Sequence, residues 1–397
     1  MKIGIVIEHF NPRRGGAETY TAGLVESLAA SGHEVSVITE DWSAVPAGVK
    51  MVPVRPRGVT AAGRCLSFAT EASEAALSGG FDVVHSMARI MALSVFQPHG
   101  GVTKAAVARS LASSESQWER GLRKAARWLN TKSDMLLEIE EIIYSETPLP
   151  RFVAVSNIVA SDMMRYYGVP ASKIDVVYNG VDVCRFRPEN RQAFRQVTRE
   201  RFGIGDADVL LLLVAHNYRL KGADVFIRAV AAMRAEGHER VRGLIVGGRD
   251  FAAYERLARK LGAGDRVSFS AATDDIERVY AAADVYLHPT YYDPMSLVVL
   301  EAMAAGLPVI TTRYNGASEI MSEGVEGFSV AEPRDLPAIV AGLGQLVDDA
   351  RRRDMGAAAR ALAERFPLER NFEGIMAVYA KAVEEGLPAK MKITRGA

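Results

Sequence analysis

Cysteine is scarce in this chain: Cys65 and Cys184 are the only two among 397 residues, and they lie far apart without the spacing of metal ligands. A disulfide-dense scaffold and a thiolate zinc site are thereby excluded, and two unpaired thiols fit a reducing compartment. Charge of one sign is not in excess either. Basic and acidic side chains number 48 each, so no overall field draws the protein to nucleic acid, and attraction to an anionic surface has to come from a local patch. No apolar run approaches the ~18 residues of a membrane span, and no secretory leader precedes the strand-like Ile3-Gly4-Ile5-Val6-Ile7. The expectation is a cytoplasmic protein, at most peripheral on the inner face of the plasma membrane. Internal repeats, low-complexity tracts and a Ser- or Cys-based catalytic arrangement are missing too. The turn after the first strand lacks Gly-x-Gly-x-x-Gly, which counts against a dehydrogenase.

What is present is a soluble globular composition, 49% hydrophobic and 24% charged, on a chain too long for one ordinary core. Strand-length apolar runs alternate with helical patterns, as parallel sheets covered by helices require. Ile3 to Ile7, Val35 to Ile38, Val83 to His85 and Phe152 to Val155 read as strands of a first half. The pattern restarts at Val209 to Val214 and continues through Leu244 to Val246, Val267 to Phe269, Val285 to His288 and Val309 to Thr311. Between the halves, Asn179-Gly180-Val181-Asp182 and Phe186-Arg187-Pro188 form a turn-rich junction. Lys104 to Glu146 departs from the alternation and reads as helix alone. There Trp118, Leu122, Ala125 and Leu129 recur at helical spacing, with Arg120, Arg123, Lys124 and Arg127 opposite. This basic amphipathic helix is either a solvated face or a surface for anionic lipid or an anionic acceptor.

Four places carry candidate chemistry. After the strand ending at His288, Asp293-Pro294-Met295 is expected to open a helix, with Pro294 at the first helical position, running to Ala305 and stopping at Gly306. The amides of Met295, Ser296 and Leu297 would then face a diphosphate or sugar oxygen at a helix N-terminus. Asp293 and Glu301 would stand about 12 Å apart along the axis, suited to hydroxyls on a hexose and a ribose; a capping Asp and a solvated Glu are the plain alternative. Arg219 and Lys221, just before Gly222, suit charge developing on a leaving diphosphate, or form a solvated surface turn. Gly15 and Gly16 bring backbone amides to a helix start, as many ordinary turns do. His99, within Gln97-Pro98-His99-Gly100-Gly101, could meet a sugar hydroxyl; His9 competes with it.

The run from Asp293 through Glu301 to Ile310 resembles the acid-x7-Glu signature of the family 4 retaining glycosyltransferases, with Asp where the first acid is usually Glu. Arg219-x-Lys221-Gly222, Gly15-Gly16-x-Glu18 and the Asn179 junction resemble further parts of that family. The resemblance implies the GT-B fold: α/β, two facing Rossmann-like domains with parallel sheets. Residues 1–185 would bind acceptor and 186–370 the nucleotide sugar, with a C-terminal helix in 371–397 packing back on the first domain. It implies Asp293 and the amides after it on the donor sugar, Glu301 on the ribose, Arg219 and Lys221 on the diphosphate, the groups near Phe269 and Ser270 by the base, and His99 at the reacting hexose. Gly15 and Gly16 would lie on the donor side. The implied reaction moves a hexose from a nucleoside diphosphate sugar, such as a UDP-sugar, to a glycan or lipid-linked hydroxyl with retained configuration. Neither metal nor other cofactor is called on. The long helical insertion is similar to those of lipopolysaccharide-core and surface-glycan enzymes. A nucleotide-sugar 2-epimerase and a non-catalytic nucleotide-sugar binding protein are the alternatives.

Overall fold

Continuous apolar strands pair where both faces of a sheet are covered, and that is how the runs are used in the computed structural model, which describes residues 1–114, 118, 121, 131–248 and 251–386. Along the chain the strands are β1 (Lys2–Val6), β2 (His9–Phe10), β3 (Glu34–Thr39), β4 (Asp41–Trp42), β5 (Val49–Pro53), β6 (Val83–Ser86), β7 (Val95–Phe96), β8 (Arg151–Ala154) and β9 (Ile174–Val176). They continue as β10 (Val209–Val214), β11 (Val241–Gly247), β12 (Val267–Ala271), β13 (Val285–His288), β14 (Val309–Thr312) and β15 (Gly327–Val330).

The first unit comprises Met1–Tyr178 and the stretch from Asn371. Its seven-stranded parallel sheet runs β5-β3-β1-β6-β7-β8-β9, and β2 pairs with β4 in a separate two-stranded ribbon. Ile3, Ile5, Val37, Val83, Phe96 and Phe152 are fully buried in the sheet. The sequence pattern anticipates β1, β3, β6 and β8. It misses β5, β7 and β9: β7 has two residues and β9 three, too few to show a period, and Lys50 and Pro53 break the apolar run of β5. The helices Thr103–Ala112 and Thr131–Ser145 fit the helical reading of that segment. Arg120, Arg123, Lys124 and Arg127 lie outside the described residues.

Leu368–Glu384 is the last helix among the described residues, with Asn371, Ile375, Val378, Tyr379 and Ala382 buried along one stripe. It meets the first unit where Asn371 Nδ2 donates to the Tyr178 carbonyl at 2.7 Å, Tyr379 pairs with His85 at 2.8 Å and Lys381 meets Asp175 at 2.6 Å.

The second unit, Asn179–Arg370, holds a six-stranded parallel sheet in the order β12-β11-β10-β13-β14-β15. Its core packs Leu211, Leu213, Phe226, Ile245, Leu287 and Ile310. The boundary falls after Tyr178 rather than after residue 185, because the junction is anchored to this unit. Asn179 Nδ2 donates to the Met295 carbonyl at 2.9 Å, Val181 N–H donates to the Phe366 carbonyl at 2.9 Å, and a side chain at Gly180 would strike the backbone of Pro367 at 2.7 Å.

Candidate functional site

Strands β10 and β13 are neighbours, so the loops that leave their C-terminal ends converge. The first, after Val214, carries Arg219 and Lys221 and ends at Gly222, where φ is 73° and an added Cβ would lie 2.1 Å from the Pro289 carbonyl oxygen. Only glycine tolerates both the left-handed backbone and that approach. The second loop, after His288, carries Asp293. Lys221 Nζ stands 2.6 Å from Asp293 Oδ2 and 3.3 Å from the Tyr292 carbonyl. His288 approaches the same carboxylate oxygen with Nε2 at 3.5 Å, and its Nδ1 is 3.2 Å from the Tyr286 hydroxyl.

Burial by itself would raise the Asp293 pKa, but Lys221 and His288 more than offset that and hold the carboxyl well below its usual range. His288 is fully buried, and desolvation lowers its pKa despite the neighbouring carboxylate, so the ring stays neutral near pH 7. The cluster is therefore a lysine ammonium and a carboxylate that neutralise each other, with a neutral imidazole beside them.

Asp293 does not open the helix. It forms an isolated parallel bridge with Asn315, in which Asp293 N–H donates to the Tyr314 carbonyl at 2.9 Å and Gly316 N–H donates back to the Asp293 carbonyl at 2.9 Å, and the chain bends at Pro294 and Met295 before the helix. Buried Asn315 completes the staple, its Oδ1 accepting from Ser296 N–H at 3.3 Å. The helix spans Leu297–Ala304. This corrects two expectations: the Ser296 amide is spoken for by Asn315, and the axial separation of Asp293 from Glu301, which assumed a helix through both, does not apply. Glu301 is half-buried. Desolvation raises its carboxyl pKa, opposed by the Tyr280 hydroxyl that donates to it at 2.8 Å and by the Arg185 charge.

Phe269 stacks on Phe251 with ring centroids 5.8 Å apart, and Ser270 Oγ lies 3.2 Å from the Ala271 carbonyl. A cavity of about 390 Å³ opens beside Phe269, lined also by Arg201, Phe202 and Arg259; Lys221, Asp293 and Glu301 are not in its wall.

Gly15, Gly16 and His99 belong to the first unit. Gly15 precedes the helix Gly16–Ala30 in an extended conformation open to any residue, and a Cβ there would stand 3.0 Å from a Glu18 carboxylate oxygen. An acid so close weakens the site for anions. His99 Nδ1 is 3.1 Å from Gln97 Nε2, and its ring lies 4.2 Å from that of Tyr20. The competing His9 pairs with Asp41 at 2.7 Å. Sequence reasoning missed His288, Tyr280 and Asn315 as the partners of Asp293, Glu301 and Ser296; a histidine closing an otherwise apolar buried strand was the one signal available.

The family model "Glycosyl transferases group 1" matches residues 194–362, across both of these loops, and the model "Glycosyltransferase Family 4" matches residues 14–185. The chain is a glycosyltransferase of this group. A curated relative, D-inositol 3-phosphate glycosyltransferase 2 of Catenulispora acidiphila, is 34% identical over a match spanning 59% of this chain and 57% of that protein. The chain thus spans little more than half the length of that relative. Among solved structures, WaaG, a glycosyltransferase involved in lipopolysaccharide biosynthesis, superposes with a TM-score of 0.79 at 23% identity over 99% of this chain and 100% of that one. Anabaena HepE in complex with UDP-glucose gives a TM-score of 0.65 at 19% identity over 97% of this chain and 99% of that one. The glycosyltransferase has the GT-B fold of these structures.

Proposed function

We propose that this glycosyltransferase moves a hexose from a UDP-sugar to a hydroxyl of a glycan or lipid-linked acceptor, with retained anomeric configuration, in the synthesis of a surface glycan such as lipopolysaccharide. The observation that carries the reading is the Lys221–Asp293–His288 cluster at the ends of β10 and β13. A donor diphosphate supplies a stronger anion for Lys221 than one carboxylate does, and Arg219 adds a second cation for the charge that grows as the glycosidic bond breaks. Asp293, released from the ammonium, is left to accept a hydrogen bond from a hexose hydroxyl, while Glu301 takes the ribose. The first unit's His99 meets a sugar hydroxyl. No metal is called on. The names of the relatives favour transfer over the epimerase alternative, and Anabaena HepE, solved with UDP-glucose, supports the choice of donor class.

Titration calorimetry separates the two acids. Glu301→Ala should weaken free UDP and intact donor alike, by about tenfold, as expected for one lost hydrogen bond to a charged group. Asp293→Ala should weaken the intact donor while leaving UDP affinity unchanged or raised, because Lys221 then has no internal counter-charge. Equal losses for UDP in both variants would show the assignment to be reversed or wrong.

Peripheral attachment is a separate part of the reading. No described helix is long and apolar enough to cross a membrane. The four cations Arg120, Arg123, Lys124 and Arg127 would contribute about 1 kcal/mol each near an anionic surface. Their joint replacement by Gln should abolish co-sedimentation with vesicles containing phosphatidylserine and leave donor hydrolysis intact. If the parent protein fails to sediment with such vesicles at low salt, attachment is ruled out.

A further inference from the structure

Three polar side chains of the first unit lie in series behind His99. The Tyr379 hydroxyl, on the last helix, is 2.8 Å from His85 Nδ1. His85 Nε2 and Gln97 Oε1 are both buried, neither has a partner at full hydrogen-bond geometry, and the two side chains interact. Gln97 Nε2 in turn is 3.1 Å from His99 Nδ1. Tyr379, His85 and Gln97 are each 0% exposed, away from bulk solvent.

Each link restricts the next. A phenol held protonated donates, and burial raises the Tyr379 pKa well above its ordinary value. His85 Nδ1 must then accept, which leaves the proton of the neutral ring on Nε2. Burial lowers the His85 pKa to about 3, so a second proton on the ring is excluded near pH 7. His85 Nε2–H can donate only to an acceptor, which turns Gln97 Oε1 towards it and Gln97 Nε2 towards His99. The Gln97 amide donates, so His99 Nδ1 accepts and the His99 proton sits on Nε2. Reversing any one link reverses all of them and makes the phenol an acceptor, the poorer use of that group.

We propose that Tyr379, His85 and Gln97 are positioning residues that hold His99 as the neutral Nε2–H tautomer, so that it presents a hydrogen-bond donor, and not a base, to a sugar hydroxyl. The inference rests on the proposed role of His99 but concerns its tautomer, which is measured independently of turnover. Tyr20, whose ring packs 4.2 Å from that of His99, fixes the plane of the ring.

The test is long-range proton–nitrogen correlation on the full chain labelled in its seven histidines, with the His99 signals assigned by their loss in His99→Gln. The expected result is the Nε2–H pattern for His99 in the parent protein and the Nδ1–H pattern in Gln97→Glu, whose carboxylate has the same shape but only accepts. Turnover of Gln97→Glu should fall by roughly tenfold to a hundredfold through misdirected contacts, with donor KM little changed. Tyr379→Phe, which removes the first donor, should shift both His85 and His99 towards mixed tautomers and carries the test if Gln97→Glu fails to fold. An Nδ1–H or mixed His99 in the parent protein overturns the proposal, as does a tautomer unmoved by these variants. Full turnover in His99→Gln, with the Nε2–H pattern present in the parent protein, would instead sink the role of His99 in transfer and leave the relay standing.

Discussion

Replacing Lys221 with Ala should lower donor turnover by roughly 10²- to 10³-fold, the range seen when one preorganised charge-stabilising group is lost from a transition state. Lys221 Nζ is held at 2.6 Å from Asp293 Oδ2 and 3.3 Å from the Tyr292 carbonyl before any donor arrives, so the ammonium is already placed in the site and a diphosphate exchanges one anionic partner for another. The loss should appear in kcat, because charge on the leaving group grows between ground state and transition state. Lys221→Arg should recover part of it, since charge is kept while the point contact of an ammonium is not. Nucleotide release followed in a coupled assay is the measurement. Turnover near that of the parent protein, in a variant with an unchanged melting midpoint, would remove Lys221 from the diphosphate site.

The largest stability effect is expected away from the chemistry, at Asp284. This buried carboxylate sits just before β13 and holds three guanidinium groups, Arg191 at 3.0 Å, Arg195 at 2.7 Å and Arg199 at 3.1 Å, and it also accepts the Leu210 N–H at 2.8 Å. Arg199 is 1% exposed, so Asp284→Ala leaves a buried cation without its counter-charge, a loss of about 3–5 kcal/mol. That is a large part of the ~5–15 kcal/mol by which a domain is typically stable. Arg234–Asp265, also at 3.0 Å but with both side chains substantially exposed, should be worth no more than ~1 kcal/mol by comparison. Urea unfolding of the two alanine variants, Asp284→Ala and Asp265→Ala, gives the contrast directly, and equal midpoints would contradict it. Because the Leu210 contact ties the start of β10 to the start of β13, the stable fraction of Asp284→Ala should also lose donor affinity.

Much of the fold was legible because parallel strands buried on both faces are written as continuous apolar runs. Val209 to Val214 and Val285 to His288 appear in the structure with the same bounds. Lys221, Asp293 and Glu301 stand out as candidates because their spacing to glycine, proline and one another is local. Other features were set by contacts that no local window contains. The helix after Asp293 begins only at Leu297, against the preference of Pro294 for a first helical turn, because Asn315 and its neighbours take the hydrogen bonds of Asp293 and of the Ser296 amide.

By itself, then, the sequence determined the alternation of strand and helix, the division into two α/β units and the residue types available for a nucleoside diphosphate, since each follows from periodicity or from neighbours a few positions away. Tertiary structure alone decided which groups meet. Lys221 and Asp293 become partners across 72 positions because β10 and β13 lie side by side, Asp284 gathers three arginines 85 to 93 positions away, and Tyr379 reaches His85 across 294. Such pairings depend on strand order and helix docking, which the whole core sets through burial; the charge state of Asp293 and the direction of the hydrogen bonds behind His99 follow from them.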